Sequence, residues 1–237
     1  GLFFIILFMF FIFFNLLKKK LIIELSCVFI LILTQGTIGW YMVVSGLTEN
    51  TSVSHYRLSI HLVVAFSILT SLIWILLNSV NQTSKKFFQS SIGNFSLQIL
   101  LTLIFFQIIL GAFVSGLDAG KIFQTWPLMN GNYFPDDISK NKFFNFNEPS
   151  FVQFIHRNMA YLIFFISIYV GFNIYKKKEL KLFSKYKLFF FTIMAQILLG
   201  VFVLISGLNI FLASMHQISS IFLVLTAINL YYSSIST

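Results

Sequence analysis

The chain has 237 residues, of which 58% are hydrophobic and 10% are charged, and its formal net charge is +9. With 32 Phe and a mean hydropathy of +0.89, it has more apolar surface than a soluble core could hide, so lipid must cover part of it. Most of the positive charge lies in short lysine runs between apolar segments, which excludes a nucleic-acid-binding surface, and the single cysteine excludes a disulfide framework or a thiolate zinc site within this chain.

Seven apolar segments follow one another along the chain. They lie at about 1–17, 21–42, 58–78, 93–115, 150–174, 188–208 and 214–233. The complete ones have roughly the 20 residues that a helix needs to cross ~30 Å of hydrocarbon. Because backbone polar groups in lipid must be satisfied internally, the pattern predicts an all-α membrane protein. The first segment begins inside an apolar run without Met, so we expect residue 1 to be an internal position of a longer protein.

The loops between the segments alternate in charge. One side of the membrane receives the lysine runs 18–20, 85–86 and 176–187. The other side receives the loops 43–57, 116–149 and 209–213, which contain few basic residues. The positive-inside rule places the lysine loops in the bacterial cytoplasm or the mitochondrial matrix, which predicts an integral protein of the bacterial or mitochondrial inner membrane.

Three histidines lie within apolar segments, each about one to two helical turns from the outer end: His61, His156 and His216. The fourth, His55, is expected in a loop. A bilayer tolerates an ionisable side chain only where it has a partner, and the commonest partner of imidazole is a metal. Three histidines at one depth therefore indicate sites near the periplasmic or intermembrane-space face.

A sequence repeat precedes each of these histidines. Its copies are Gln35-x3-Gly39-x5-Ser45-Gly46-Leu47, the shorter Gln107-x3-Gly111-x3-Ser115-Gly116-Leu117, and Gln196-x3-Gly200-x5-Ser206-Gly207-Leu208. The first and third copies lie four crossings apart in helices of the same orientation, which predicts two similar four-helix transmembrane bundles in parallel repeat. Residues 1–92 would be the remainder of the N-terminal bundle and residues 93–237 the C-terminal bundle, with the first helix and part of the second missing from this chain.

The spacing of the repeat also predicts a fourth histidine. His156 precedes Gln196 by 40 residues, and 40 residues before Gln35 is position −5. We therefore expect the partner of His61 just upstream of Gly1.

Two histidines on separate helices of a bundle can clamp a flat macrocycle, and haem iron takes axial imidazoles. Arg57, four residues before His61, and Arg157, directly after His156, could face the haem propionates. Small residues could leave room for the ring: Gly200, Ser206, Gly207 and Ser214.

Two other interpretations of the histidines stay open. They could be core residues that hydrogen-bond between helices, and Gln-x3-Gly is by itself an ordinary helix-packing pattern. A zinc or copper site is the weaker alternative, because no carboxylate or thiolate lies at the same depth.

The outer loop 116–149 is longer than an ordinary connection and is rich in apolar and aromatic residues. Loops of this length are usually functional or disordered, and the apolar content argues against disorder. We expect a lid on the membrane surface over the outer ends of the histidine helices, with Asp118 and Trp126 near the haem edge. The alternative is an interfacial anchoring loop with a belt tryptophan.

Specific motifs run along essentially the whole chain. They are Gly39-Trp-Tyr-Met-Val-Val-Ser-Gly-Leu47, Val53-Ser-His-Tyr-Arg-Leu58 with His61, Gly116-Leu-Asp-Ala-Gly with Thr125-Trp-Pro-Leu-Met-Asn-Gly131, Val152-Gln-Phe-Ile-His-Arg157 with Ala160-Tyr161, and Ala213-Ser-Met-His-Gln217. Together they resemble the haem A synthase family of the alphaproteobacterial and mitochondrial type.

The resemblance implies eight transmembrane helices and oxidation of the haem O C8 methyl to a formyl group, which makes haem A for cytochrome c oxidase assembly. It implies that His156 and His216 ligate the iron of haem b and that His61 is a catalytic histidine associated with the iron of the substrate haem. A chain that starts at Gly1 is then expected to hold about one low-spin, bis-histidine haem and to make no haem A.

The partners that the resemblance implies are haem O, the haem O synthase that supplies it, an electron donor and membrane lipid. It leaves the oligomeric state open, homo-oligomers included. Two other function classes stay open: a bis-histidine membrane electron-transfer cytochrome b and a non-haem membrane transporter. Histidines near one face rather than at the midplane disfavour the transporter.

Overall fold

The computed structural model describes residues 1–46, 53–88, 95–138 and 144–235, which form seven α-helices. These are α1 (Leu2–Phe13), α2 (Lys19–Gly46), α3 (His55–Val80), α4 (Phe95–Gly116), α5 (Pro149–Lys176), α6 (Leu180–Ile205) and α7 (Ile210–Ser234), with a short 3₁₀ helix at Ala119–Lys121. Six of them, α2 to α7, are long and apolar enough to cross a membrane. The prediction of an all-α membrane protein is confirmed. The predicted boundary between residues 92 and 93 lies outside the described residues, as do Leu47 and residues 139–143 of the lid loop.

Several helices begin earlier than hydropathy predicts. The lysine run at 176–187 was expected as a loop, but α6 starts at Leu180 and residues 177–179 form the connection. Lysine is a good helix former whose long stem lies along apolar surface, so a hydropathy pattern underestimates such a helix at its charged end. At the other end of the bundle, α7 begins at Ile210. The Asn209 side chain caps it by accepting hydrogen bonds from the backbone N–H groups of Phe211 and Leu212.

His55, expected in a loop, is the first residue of α3 and is buried. The C-terminal end of α4 approaches it closely, because a Cβ added to Gly116 would lie 2.7 Å from the His55 Cβ. The His55 ring also packs edge-on against Phe113, with 5.0 Å between ring centroids. The start of α3 is therefore helical because the end of α4 packs directly on it, a long-range contact that a local sequence pattern does not contain.

The first helix differs from the prediction in length. The apolar segment at 1–17 predicts a continuous helix, whereas α1 has 12 residues and ends before Asn15, which has a positive φ of 53°. Twelve residues rise about 18 Å, which is less than the hydrocarbon thickness of ~30 Å.

The helices pack around one shared core. Helix α4 packs on α5, α5 on α6, α6 on α7, and α7 on α4. In this four-helix group, α5 and α7 stand at opposite corners. Helix α3 packs on α4 and α7 and contributes Phe66 and Trp74 to the core, while α2 packs on α3 and α1. The helices predicted for the two halves are thus joined through α3.

The lysine runs meet at one end of the bundle. Lys20 at the start of α2 donates to Ser84 after α3 over 2.7 Å. Lys85 donates to the backbone carbonyl of Tyr232 near the end of α7 over 3.2 Å. Burial and the positive charge of Lys185 on α6 lower the pKa of Lys85 from its ordinary value. The starts of α3, α5 and α7 lie at the opposite end.

Candidate functional site

The three segment histidines lie at a common depth in three parallel helices. His61, His156 and His216 come six, seven and six residues after the first residues of α3, α5 and α7. At about 1.5 Å per residue, each is roughly 9 to 11 Å from the end of the bundle opposite the lysines. All three are partly buried. The predicted common depth is confirmed.

Each histidine contacts the glutamine of the repeat on the preceding helix. The Nε2–Nε2 distances are 3.0 Å for Gln35 and His61, 3.4 Å for Gln107 and His156, and 3.3 Å for Gln196 and His216. The repeat and the histidine that follows it therefore form one unit, a helical hairpin that occurs as α2–α3, α4–α5 and α6–α7.

The glycine four residues after each glutamine lies against the imidazole. A Cβ added to Gly39, Gly111 or Gly200 would lie 3.1, 3.4 or 3.0 Å from the Cε1 atom of the histidine on the next helix. Gly200 was expected to make room for a macrocycle, but the atoms nearest to it belong to His216. Its small size is required because the His216 ring packs directly on the backbone of α6.

The donor set fits an axial ligand role. Among the described residues, the Nδ1 atoms of His61, His156 and His216 are buried and have no hydrogen-bond partner. Buried polar atoms are normally paired, so this threefold exception needs an explanation. A neutral imidazole has a single lone pair, and each glutamine N–H contacts it at Nε2, so iron would bind one of these histidines by displacing that amide contact. No group of three or more His, Cys, Asp or Glu side chains suited to a metal ion occurs in the part of the chain that the structure describes.

Arg57 lies on α3 one turn before His61. Its guanidinium group stands over the Tyr41 ring, 4.9 Å from the ring centroid, and donates to the hydroxyl of Ser45. Because α3 begins at His55, Arg57 and His61 share one helical face. A contact between Arg57 and a haem propionate stays a prediction.

Arg157 is buried and fastens the lid loop to α5. Its Nη2 atom donates to the carbonyl of Phe123 and its Nη1 atom to the carbonyl of Thr125, both over 2.9 Å. Gln153, one turn earlier on α5, donates to the same Phe123 carbonyl over 2.9 Å. The structure thus uses both amino groups of Arg157 within the protein, and its propionate contact stays a prediction.

The described part of the loop crosses from α5 towards the connection between α6 and α7. Trp126 is 46% exposed, and its indole N–H donates to the Tyr161 hydroxyl over 3.0 Å. Gly120 packs on Leu208, whose Cδ2 atom would lie 2.8 Å from an added Cβ. Asp118 is exposed and pairs with Lys121 over 3.0 Å. The loop therefore lies at the same end of the bundle as the histidines.

Sequence reasoning missed the glutamines as histidine partners and missed Gln153 and Tyr161 as anchors of the loop. The glutamines precede their histidines by 26, 49 and 20 residues, so no fixed spacing connects them. The repeat itself was the available signal, but a small-residue repeat is equally typical of helix packing.

Comparison with known proteins gives a consistent result. A family model described as cytochrome oxidase assembly protein (COX15-CtaA) matches residues 1–228. A heme A synthase of Pelagibacter ubique (strain HTCC1062) is 49% identical over 198 residues, covering 82% of this chain and 57% of that protein. A heme A synthase of Rickettsia bellii (strain RML369-C) is 37% identical over 238 residues, covering 98% of this chain and 70% of that protein. The chain thus spans less than two thirds of the Pelagibacter protein.

Proposed function

We propose that this chain, which belongs to the cytochrome oxidase assembly protein family, carries out part or all of a haem A synthase reaction, the oxidation of the haem O C8 methyl to a formyl group. The observation that carries the proposal is the threefold histidine–glutamine hairpin at one depth of a membrane bundle. Similarity to proteins named heme A synthase supports the reaction, and the hairpins support haem as its substrate and cofactor.

His156 and His216 would hold the iron of a resident haem b. They stand on α5 and α7, at opposite corners of the four-helix group, and each has a buried ring nitrogen without a partner among the described residues. Bound there, haem b would supply one-electron redox chemistry. An electron donor must then act on the second half.

His61 would serve the substrate haem, since it lies on α3 outside that four-helix group. Arg57, one turn closer to the membrane surface, is the cation on the same face that could pair with a propionate. The haem O synthase that supplies the substrate is the partner that this assignment implies.

The lid loop would shield the outer ends of the sites. Replacing Trp126 or Asp118 by Ala is expected to lower the haem A yield more than the protein abundance, because the ring covers apolar surface and the carboxylate orders the loop through Lys121. A yield that fell only in proportion to abundance would make the loop structural.

We further propose that the lysine end faces the cytoplasm or the mitochondrial matrix and that the histidine end faces the periplasm or the intermembrane space. Single-cysteine variants Lys181→Cys and Asn132→Cys in a Cys27→Ser background test this orientation. An impermeant thiol reagent added from outside should label position 132 and leave position 181 unlabelled. The opposite labelling would reverse the orientation.

The function is tested by extraction of bound haem. The protein, expressed from its complete gene in membranes that supply haem O but lack another haem A synthase, is purified and extracted with acid acetone, and the haems are separated by chromatography. Haem O or haem A beside haem b supports the proposal. Haem b alone would indicate an electron-transfer cytochrome, and absence of all haem would reject a haem protein.

A further inference from the structure

Two lysine side chains converge on the last turns of α7. The ammonium group of Lys85, which lies in the connection between α3 and α4, donates to the backbone carbonyl of Tyr232 over 3.2 Å and to a second carbonyl just beyond the helix. The ammonium group of Lys185 on α6 donates to the side-chain oxygens of Asn229, over 3.1 Å, and Ser233. Both ammonium groups therefore lie beside one helix end, and we call Lys85 and Lys185 the lysine pair.

The lysine pair lacks compensating negative charge. Every acceptor that its two ammonium groups contact is a neutral oxygen. Among the described residues, ion pairs are made by Lys20 and Lys121 and not by the lysine pair. The C-terminal end of a helix supplies roughly half a negative charge, against the two positive charges of the pair. More than one positive charge is therefore left uncompensated at the end of α7.

The two charges of the lysine pair also repel each other. Burial and the positive charge of Lys185 lower the pKa of Lys85. Both residues are partly buried, so water screens them less than it screens their exposed neighbours Lys86 and Lys187. An ammonium group has three N–H groups, and each member of the pair uses two of them on described residues. An anion with several oxygens could accept the remaining N–H of both lysines and relieve the repulsion.

We propose that the lysine pair binds the phosphate group of an anionic phospholipid. Phosphate oxygens accept charge-assisted hydrogen bonds from two ammonium groups at once, and lipid phosphates lie at the depth where membrane helices end. Basic pockets between membrane helices on the cytoplasmic or matrix side are typical sites for such headgroups, and this is the side proposed above for the lysine end. The bound lipid would hold α6 and the connection between α3 and α4 together at the end of α7.

The experiment measures lipid binding to the protein expressed from its complete gene and purified in a neutral detergent. Native mass spectrometry follows the binding of dioleoyl phosphatidylglycerol, with dioleoyl phosphatidylcholine and inorganic phosphate as comparison probes. Phosphatidylglycerol should bind more tightly than phosphatidylcholine, whose choline offsets the phosphate charge. Inorganic phosphate at equal concentration should not displace it, because it lacks acyl chains. Equal affinity for the two lipids, or displacement by inorganic phosphate, would contradict the lipid assignment.

Four single variants locate the site, and each removes one positive charge. Lys85→Gln and Lys185→Gln change the pair, and Lys86→Gln and Lys187→Gln are the matched controls at neighbouring exposed positions. Each pair variant should bind phosphatidylglycerol about 5-fold more weakly, since one lysine near an anionic headgroup contributes about 1 kcal/mol. The controls should stay close to the wild type, because in neutral detergent only a lysine at the site acts on a single lipid. Equal weakening in all four variants would indicate general attraction and overturn the site.

Folding is checked by size-exclusion profiles and thermal melting without lipid, because Lys85→Gln also removes hydrogen bonds to α7. If that variant does not fold, Lys185→Gln against Lys187→Gln on the same helix decides, and Lys185→Arg, which keeps the charge, should retain binding. Added phosphatidylglycerol should raise the melting temperature of the wild type and the controls more than that of the pair variants, since a ligand stabilises the state that binds it. None of these measurements needs haem, so failure of this site and failure of the proposed reaction are told apart.

Discussion

The hairpins α2–α3 and α6–α7 both place a glutamine and a glycine against their histidine, but they hold it by different numbers of contacts. Gln196 contacts both the ring and the backbone carbonyl of His216, and Ser219 orients its amide. Gln35 makes one hydrogen bond, to the His61 ring over 3.0 Å, and its Oε1 atom has no partner among the described residues. The position that corresponds to Ser219, three residues after the histidine, is Val64 in α3.

The difference suits the roles proposed for the two halves. A resident cofactor gains from helices that are fixed around its ligand before it binds, as the contacts of Gln196 with the His216 carbonyl and with Ser219 fix α6 against α7, because less ordering then opposes binding. A substrate must be released after the reaction, so a histidine that its glutamine contacts only at the ring fits an exchanging haem better. Variants that affect one half and spare the other are therefore the most informative.

The largest expected effect is the loss of haem b from the second half. His156→Ala and His216→Ala should each abolish stable haem b binding, because each removes one axial ligand. Reduced-minus-oxidised visible spectra and pyridine haemochrome assays per protein mass measure the loss. Gln217→Ala, next to His216 but on an exposed position, is the control and should retain haem. Normal haem content in either histidine variant would remove that residue from the site.

His61→Ala should spare haem b, unlike the His156 and His216 variants, and should stop the reaction. The haem b spectrum is expected to stay intact, because α3 lies outside the four-helix group of α4 to α7. Conversion of haem O by the protein expressed from its complete gene should stop, as chromatography of extracted haems would show. Loss of haem b together with normal haem A formation would reverse the assignment of the two halves.

Much of this organisation could be predicted from the sequence. Segment length and lysine placement predict the helices and the end at which the lysines meet, because both follow from bilayer thickness and charge. The start of α3 at His55 was not predictable, since it depends on the close approach of Gly116 from α4. The contact between each glutamine and its histidine was also hidden, because a repeat identifies equivalent positions without showing which side chains face each other.

The attachment of the lid to the second half was likewise absent from the sequence pattern, because Arg157 binds backbone carbonyls, which any residue carries. Arg157→Met keeps most of the side-chain length but removes the hydrogen bonds to the carbonyls of Phe123 and Thr125. Each hydrogen bond to a charged group contributes about 1.5–3 kcal/mol, so the loop should detach more readily. Limited proteolysis should cut residues 116–138 faster than in the wild type, with cleavage elsewhere unchanged. An unchanged cleavage rate would show that other contacts hold the loop.

The smallest effect is expected at the outer edge of the lid, where Tyr161 accepts the indole N–H of Trp126 over 3.0 Å. Tyr161→Phe removes this hydrogen bond, and a neutral hydrogen bond contributes about 0.5–1.5 kcal/mol. Trp126 is 46% exposed, so water can replace the lost partner and the effect should fall near the lower limit.

A double-mutant cycle of Tyr161→Phe and Trp126→Phe, read by the free energy of unfolding in mixed detergent, isolates the coupling between the two side chains. A coupling near zero would mean that the hydrogen bond between Trp126 and Tyr161 contributes nothing to holding the loop over the second half. A coupling well above ~1.5 kcal/mol would mean that the loop edge is desolvated and packed more tightly than the exposed indole indicates.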